Sequence, residues 1–375
     1  MTNITPPKSR AKHIFRTKAI KLGPLTIGGG APVVVQTMTN TDTRDVKATL
    51  AQITRSFERG AEVVRLAVPD KKSAISFAEI TKQSPVPLVA DIHFNYRLAL
   101  AALEGGAAGL RLNPGNIGDP KNIRRVAEAA GAKGAAIRVG VNLGSLEKNA
   151  KAKASSLPEA MVESALAQVK LIEETGFENI KVSLKASSVR ETVEAVRLFA
   201  QRCDLPQHLG ITESGDLKTG TVRSSVGLGI LLSEGIGDTI RVSLTGPPEE
   251  EVDCAWEILS ALGLRRRGPE FISCPTCGRC QIDLPSLLAD VKSRLADLKS
   301  PLTIAVMGCV VNGPGEARSA DVGIAGGRGT GRLFVKGFEV GSFKFDNLAK
   351  ALEDKAREID MELLAAGARE ENSKT

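Results

Sequence analysis

The apolar positions between residues 33 and 245 fall into short runs rich in valine, isoleucine and leucine. Each run ends at a polar or glycine-containing turn, and the segments between runs, such as ETVEAVRLFAQRC, carry apolar residues at helical spacing. The pattern predicts eight strands: VVVQTMTN, VVRLAVPD, PLVADIHF, LRLNPGN, IRVGVNLGS, KVSLKAS, HLGITESG and IRVSLTG. Strands that alternate with helices indicate a parallel sheet with right-handed crossovers.

The number and size of these units favour a closed barrel. Eight strand and helix pairs in about 240 residues match a (β/α)8 TIM barrel. An open doubly wound sheet would more often have fewer strands and a GxGxxG turn after the first strand, and no such turn follows VVVQTM. We therefore expect an α/β protein with its chemistry at the carboxyl ends of the barrel strands.

The pattern changes after the predicted helix EEEVDCAWEILSALGL, where RRRGPEFISCPTC introduces a loop centred on cysteines. We place a domain boundary near Gly268, with the barrel over residues 1–267. The remainder, residues 268–375, predicts a small α/β domain. Its elements are a helix over 285–298, strands at LTIAVMG, DVGIAGG and RLFVKG, and a helix over 347–364.

Composition excludes several classes of protein. No apolar run approaches the ~20 residues that a bilayer span requires, so we expect no membrane segment. The basic first residues lack the apolar core of a signal peptide, which predicts a cytoplasmic protein. A net charge of +7 would suit nucleic acid, an acidic partner or a phosphorylated substrate. Aromatic residues make up only 3% of the chain, which argues against nucleic acid because few bases could be stacked.

Cysteines are concentrated in SCPTCGRC, and a further one, Cys309, lies in MGCVVNGPGEA. Six cysteines are too sparse for a disulfide framework, which leaves free thiols or metal ligands. A zinc ribbon would need a second CxxC or a histidine pair, so zinc would have to take Cys280 as its fourth ligand. The alternative is a 4Fe-4S cluster held by Cys274, Cys277 and Cys309, with one iron left for a weaker ligand. Cys280 would then be an ordinary free thiol.

Five cations lie within or just after predicted strands: Arg65, Arg111, Arg138, Lys185 and Arg241. A buried charge without a partner is costly, so these side chains require anions. Asp91 and Glu213 could pair with some of them, but five cations against two acids leave a surplus. Such a surplus at a barrel mouth suits a diphosphate, which arginine binds with two parallel hydrogen bonds.

SCPTCGR and MGCVVNGPGEA, after a barrel that begins VVVQTMTNTDT, resemble the 4-hydroxy-3-methylbut-2-enyl diphosphate synthases of the methylerythritol phosphate route to isoprenoids. The motifs ADIHFNYRLAL, LRLNPGNIG, IRVGVNLGSL, HLGITESG and IRVSLTG extend the resemblance over nearly the whole chain. The chain is similar to the short bacterial form, which has two domains.

The resemblance implies one 4Fe-4S cluster per chain, with Cys274, Cys277, Cys309 and a labile Glu316 as ligands. It also implies a site for 2-C-methyl-D-erythritol 2,4-cyclodiphosphate, with Glu213 as an acid/base group. The other implied site residues are the five cations together with Asp91, His93, Asn113, Asn142, Ser243 and, near the cluster, Asn312.

The implied reaction is a two-electron reductive ring opening and dehydroxylation that gives (E)-4-hydroxy-3-methylbut-2-enyl diphosphate. The resemblance further implies an oxidoreductase that takes electrons from a flavodoxin or a ferredoxin. It also suggests a homodimer in which the cluster domain of one chain caps the barrel of the other.

Two other functions are considered. A zinc-stabilised, basic nucleic-acid-binding module could use the barrel as a scaffold, but the few aromatic residues and the isolated Cys309 argue against it. An aldolase with Lys185 as a Schiff base would leave the cysteines without a role. Metal content separates the first of these from the reductase, because a module would carry zinc without sulfide.

Overall fold

A computed structural model of the chain describes residues 16–113, 117, 119–142 and 154–372, with side chains described up to residue 365. The chain divides between Arg265 and Arg266 into two compact units. None of the helices in these described ranges is long and apolar enough to cross a membrane.

The first unit is built on a hairpin and an eight-stranded parallel sheet. The strands are β1 (Ile20–Leu22), β2 (Leu25–Ile27), β3 (Val34–Met38), β4 (Val63–Ala67), β5 (Leu88–Asp91), β6 (Gly109–Leu112), β7 (Ala136–Asn142), β8 (Ile180–Lys185), β9 (His208–Leu209) and β10 (Thr239–Ile240). The sheet order is β8-β7-β6-β5-β4-β3-β10-β9, and a parallel bridge between Val182 and Gln207 brings β8 beside β9. The sheet therefore closes into the predicted TIM barrel, and each predicted strand is present.

Helices surround this barrel: α1 (Val46–Glu58), α2 (Lys71–Gln83), α3 (Tyr96–Glu104), α4 (Pro120–Lys133), α5 (Leu157–Glu173), α6 (Val189–Arg202), α7 (Leu217–Ser233) and α8 (Pro248–Ala261). Most of these helices begin at a polar N-cap residue, whose side chain accepts a hydrogen bond from a backbone N–H of the first turn. These N-cap residues are Asp45, Asp70, Asn95, Asp119, Ser156, Ser188 and Asp216. The apolar faces of the helices pack on the outer surface of the sheet, as Ile53 and Phe77 do.

The hairpin β1 and β2, which was not predicted from the sequence, covers the amino end of the barrel. Its apolar residues Leu22 and Ile27 pack against residues at the starts of barrel strands, including Val34 and Val63. Gly109 in β6 makes room for it, since an added Cβ there would lie 2.7 Å from Leu22 Cδ1. With this end covered, the carboxyl end is where a site can open.

The second unit contains a five-stranded mixed sheet. Its elements are β11 (Glu270–Ser273), α9 (Leu284–Arg294), β12 (Thr303–Met307), α10 (Gly313–Ser319), β13 (Val322–Gly326), β14 (Thr330–Val335), β15 (Phe338–Lys344) and α11 (Phe345–Asn372). β11, β12 and β13 are parallel, and β14 and β15 are antiparallel to their neighbours. The two helices and three strands predicted here are present, whereas β11, β15 and α10 were not predicted.

Candidate active site

The strand-end cations of the barrel lie side by side on its inner face. In the parallel pairing Asp91 is opposite Arg111, Arg111 is opposite Arg138, and Asn142 is opposite Lys185. Because inward and outward side chains alternate along a strand, these registers direct the polar groups into the same space. The structure therefore brings together residues that are more than a hundred positions apart in the chain.

Asp91 is the negative centre of this cluster. Its carboxylate lies 3.2 Å from Arg111 Nη1, 3.7 Å from Arg65 Nε and 3.8 Å from His93 Nε2. Burial by itself raises the pKa of Asp91, but the guanidiniums of Arg65 and Arg111 outweigh it and hold the pKa below its usual value. Asp91 is therefore ionised and orients two guanidiniums, and His93, exposed above it, lies 3.4 Å from Arg111 Nη1.

Arg65 is incompletely paired. Its Nε and Nη2 also donate to Met38 Sδ, at 3.0 and 2.8 Å, and a thioether is a weak acceptor. Burial lowers the pKa of Arg65 to about 10, with the attraction of Asp91 offset by repulsion from Arg241 and Arg111. An anionic oxygen would be a much better partner than Met38 for these N–H groups.

Arg138 and Lys185 are buried cations without a counter-ion among the described residues. Arg138 Nη1 donates to Ser183 Oγ at 3.0 Å, and Lys185 Nζ donates to the carbonyl of Leu209 at 3.3 Å. Burial lowers the pKa of each well below its ordinary value, and repulsion between neighbouring cations adds to the effect. Gly210 makes room for the ammonium, since a Cβ there would lie 2.5 Å from Lys185 Nζ. These two side chains are what the site offers to an anion.

Arg241 is paired, but not with either acid considered from the sequence. Glu251 in α8 accepts from its Nη2 at 2.9 Å and its Nε at 3.2 Å. The same buried carboxylate accepts from Thr37 Oγ1 at 2.8 Å and from the backbone N–H of Leu244 at 3.0 Å. Glu251 therefore fixes Arg241 to the barrel wall, and sequence analysis missed it.

Glu213 makes no ion pair with the described residues, so the expectation that it could neutralise a strand-end cation is wrong for them. It lies in the loop between β9 and α7 and is exposed. Its backbone has φ 54°, a left-handed conformation that costs free energy for a residue with a Cβ. The Ser214 hydroxyl, which donates to the carbonyl of Ser243, ties this loop to the end of β10. The Glu213 carboxylate is thus exposed at the mouth and makes no ion pair with the part of the chain that the structure describes.

The neutral residues predicted for the site also follow strand ends. Asn113 comes directly after β6 and is buried, Asn142 is the last residue of β7, and Ser243 follows β10. All three lie at the carboxyl end of the barrel, which is the position predicted for them.

In the second unit two cysteines lie at the carboxyl ends of neighbouring strands. Cys274 follows β11 and accepts a hydrogen bond from the backbone N–H of Gly308 at 3.4 Å. Cys309 follows β12, and the backbone N–H groups of Asn312, Val311 and Gly313 lower the pKa of its thiol. The lowered pKa of Cys309 favours its thiolate, which is the form that binds metal.

The third cysteine of the predicted set, Cys277, is exposed in the loop after β11. The backbone N–H of Arg279 lowers the pKa of its thiol. Cys280 is different, since its Sγ lies 3.3 Å from the carbonyl of Ile282, and a Cβ on Gly308 would come within 2.5 Å of it. The Cys280 sulfur is therefore packed against the backbone of Ile282 and Gly308.

Three cysteines and a carboxylate are residue types that would hold a 4Fe-4S cluster with one labile ligand. Zinc requires four ligands around one point, at about 2.0–2.3 Å. Among the residues that the structure describes, no three histidine, cysteine or acidic side chains are grouped closely enough to hold an ion. A four-iron cluster places each cysteine on a different iron, and hydrogen bonds to the sulfurs, as at Cys274 and Cys309, tune it.

Asn312 and Glu316 lie on the segment that follows Cys309. Asn312 is the N-cap residue of α10, is exposed, and its side chain makes no capping bond. Glu316 is exposed in the first turn, and its backbone N–H donates to the carbonyl of Asn312 at 3.3 Å. The segment from Cys309 to Glu316 thus carries a buried cysteine, followed by an amide and a carboxylate that are exposed to solvent.

Comparison with known proteins gives matches along nearly the whole chain. The GcpE TIM-barrel domain matches residues 17–256, and the GcpE protein C-terminal domain matches residues 270–358. A protein of Lawsonia intracellularis is 60% identical over 86% of this chain and 90% of its own length. One of Geobacter sulfurreducens is 56% identical over 90% and 96%, and one of Caldanaerobacter subterraneus is 53% identical over 92% and 96%. All three are named 4-hydroxy-3-methylbut-2-en-1-yl diphosphate synthase (flavodoxin). The chain therefore belongs to the GcpE family, as its strand-end and cysteine motifs predict.

Proposed function

We propose that this chain reduces 2-C-methyl-D-erythritol 2,4-cyclodiphosphate to (E)-4-hydroxy-3-methylbut-2-enyl diphosphate and water. The observation that carries the proposal is the pair of buried cations, Arg138 and Lys185, which form no ion pair with any described residue and lie at the mouth of a barrel of this family. A diphosphate supplies the missing negative charge, and an uncharged substrate would not.

In this proposal the diphosphate lies against Arg65, Arg111, Arg138 and Lys185. Arginine forks bind phosphate oxygens with two parallel hydrogen bonds, and Lys185 acts as a point charge. Arg241, held by Glu251, presents its remaining face to the substrate. Asn113, Asn142 and Ser243 donate to oxygens of the sugar or the phosphates, and Asp91 keeps its two arginines in place.

Cys274, Cys277, Cys309 and Glu316 are the residues that would hold one 4Fe-4S cluster. When bound, the cluster supplies electrons one at a time and has one iron with a labile ligand. Two electrons and two protons enter the substrate, and one oxygen leaves as water. Glu213, at the mouth and outside any internal ion pair of the described residues, is suited to deliver a proton. His93 lies beside Asp91 at the same mouth, and Asn312 lies in the second unit, three residues after Cys309.

The partners of this chain follow from the same proposal. The names of the relatives specify a flavodoxin, so an acidic flavodoxin or a ferredoxin is the electron donor. The homodimer and the cytoplasmic location remain predictions from the sequence. None of the relatives reported above is named as a nucleic-acid-binding protein, and the zinc alternative lacks a grouped set of ligands among the described side chains.

The first test is the iron, sulfide and zinc content of anaerobically purified protein, followed by one turnover with dithionite and the cyclodiphosphate. We expect about four irons and four sulfides per chain and formation of the linear diphosphate. Zinc without sulfide after anaerobic reconstitution would refute the cluster. A loaded cluster that does not consume the cyclodiphosphate would refute the substrate.

A further inference from the structure

The inner wall of the barrel carries a group of buried polar atoms that no other described group satisfies. They lie on five strands that are neighbours in the barrel, β7, β8, β9, β10 and β3. The atoms are Arg138 Nε, Lys181 Nζ, both ring nitrogens of His208, Thr239 Oγ1 and Gln36 Oε1. Buried polar groups are almost always hydrogen-bonded, so this concentration requires an explanation.

Lys181 is the ionisable centre of this group. It lies opposite Arg138 in the β7–β8 pairing and four residues before Lys185 on the same face of β8. Its side chain is buried, with 1% of its surface exposed. Lys181 is thus next to Arg138, one of the residues proposed to bind the diphosphate, but in the interior and away from the mouth.

The charged groups around Lys181 are mostly cations. Arg138 faces it from β7 and Lys185 lies four residues further along its own strand, while His208, which is neutral, faces it from β9. The one acid, Asp238 before β10, accepts from Thr17 Oγ1 and from the backbone N–H of Gln207, both at 2.8 Å. Burial, followed by repulsion from Arg138, lowers the pKa of Lys181 to about 7, and Asp238 only partly opposes this.

His208 provides a neutral neighbour. Burial, followed by repulsion from Lys185, Arg138 and Lys181, lowers its pKa well below the usual value. A neutral imidazole has one donor and one acceptor nitrogen, and Thr239, its direct partner in the β9–β10 pairing, adds a hydroxyl. Mixed donors and acceptors of this kind are satisfied by ordered water, which can also pass protons.

We propose that Lys181 takes up a proton when the diphosphate binds to Arg138 and Lys185, so that substrate binding and protonation of Lys181 are one linked equilibrium. The inference rests on the proposed function, because it requires an anion bound to Arg138 and Lys185. A bound diphosphate opposes the combined effect of burial and of repulsion from Arg138 that lowers the pKa of Lys181, and the added proton strengthens the field that holds the anion. Lys181 is therefore a positioning residue that acts through Arg138.

The sign of the effect follows from linkage. Below pH 7 Lys181 is already protonated, so binding takes up little. Above pH 7 binding must add the proton, and affinity falls as the pH rises, by at most about tenfold per pH unit for one linked proton. Lys185 also titrates, so the contribution of Lys181 is the difference between the wild type and a variant at that position.

The test is isothermal titration calorimetry of the oxidised, cluster-loaded enzyme with the cyclodiphosphate, without reductant. Two phosphate-free buffers of different ionisation enthalpy give the number of protons taken up at each pH from 6 to 9. We expect the wild type to take up close to one proton more at pH 8 than Lys181→Met. We expect Lys181→Arg, which stays charged, to take up fewer protons than the wild type and to bind more tightly than it at pH 9.

A wild type that binds the cyclodiphosphate but takes up no protons above pH 7 would overturn the inference and leave the proposed function intact. Equal uptake by the wild type and Lys181→Met would also overturn it. If Lys181→Met does not fold, the difference in proton uptake between the wild type and Lys181→Arg decides. No binding at any pH would refute both the inference and the substrate assignment.

Discussion

Replacing Lys185 by methionine should stabilise the ligand-free protein while weakening substrate binding. The ammonium is buried, has one hydrogen bond, to the Leu209 carbonyl, and has no carboxylate partner among the described residues. Methionine has a similar length and removes the cost of burying the charge. Replacing buried charges by apolar residues of similar volume is often stabilising, by about 1–4 kcal/mol. The hydrogen bond that is lost offsets about 1.5–3 kcal/mol of a gross penalty of several kcal/mol.

The pH dependence of this stabilisation has a definite sign. The pKa of Lys185 in the folded protein lies well below its unfolded value, so the unfolded state binds more protons between the two. Wild-type stability therefore rises with pH through this window, by at most about 1.4 kcal/mol per pH unit. The advantage of Lys185→Met should be largest at low pH and should shrink toward pH 10.

The measurement is urea unfolding of the ligand-free protein at pH 6, 7.5 and 9, with Lys82→Met as a matched control. Lys82 is exposed in the last turn of α2, so its replacement should change the free energy of unfolding by less than about 0.5 kcal/mol. Loss of one charged contact to the diphosphate should weaken binding by about 10- to 150-fold. A Lys185→Met protein that is less stable than the Lys82→Met control at pH 6 would mean that the ammonium already has a partner, and the reasoning would fail.

Three further predictions concern other parts of the site. Glu251→Gln should lower the free energy of unfolding by about 3 kcal/mol in urea and alter the KM for the cyclodiphosphate more than kcat, because Arg241 loses its buried partner; unchanged stability would contradict the ion pair. Cys280→Ser should retain the full iron and sulfide content and Cys309→Ser should lose it, and iron loss from Cys280→Ser would make Cys280 a ligand. Glu213→Gly should raise the melting temperature by relieving about 1 kcal/mol of backbone strain, and it should abolish turnover. A fall in the melting temperature would show that the backbone of Glu213 is not strained.

The sequence predicts the barrel well because each strand leaves its own local signature. A run such as VVRLAVPD is apolar and ends at a turn whose last residue, Asp70, is the N-cap of the next helix. The hairpin of β1 and β2 is harder to predict because its strands are three residues long and its partners lie far away. Leu22 has no local reason to be buried until β6 and β7 are in place.

The same distinction between local and long-range information applies to the site. The cations stand out because they interrupt apolar strands, and Asp91 does so for the same reason. Glu251 stands in a run of three glutamates, and only the rotation of α8 against the barrel decides which of them turns inward. A local signal that could have pointed to the cation site is glycine within or directly after a strand. Gly140 and Gly210 make room for the side chains of Arg111 and Lys185.

The hairpin at the floor of the barrel also bears on how the protein is synthesised. It leaves the ribosome before the barrel strands, but the backbone of Lys21 is hydrogen-bonded to the side chain of Asn179, which is 158 residues later in the chain. Thr17 waits longer still for Asp238, at a separation of 221 residues. The apolar face of the hairpin is therefore without its native contacts during most of the synthesis of the barrel, and in that time aggregation and chaperone capture compete with folding. A segment that is made before the barrel is thus among the last to reach its final place.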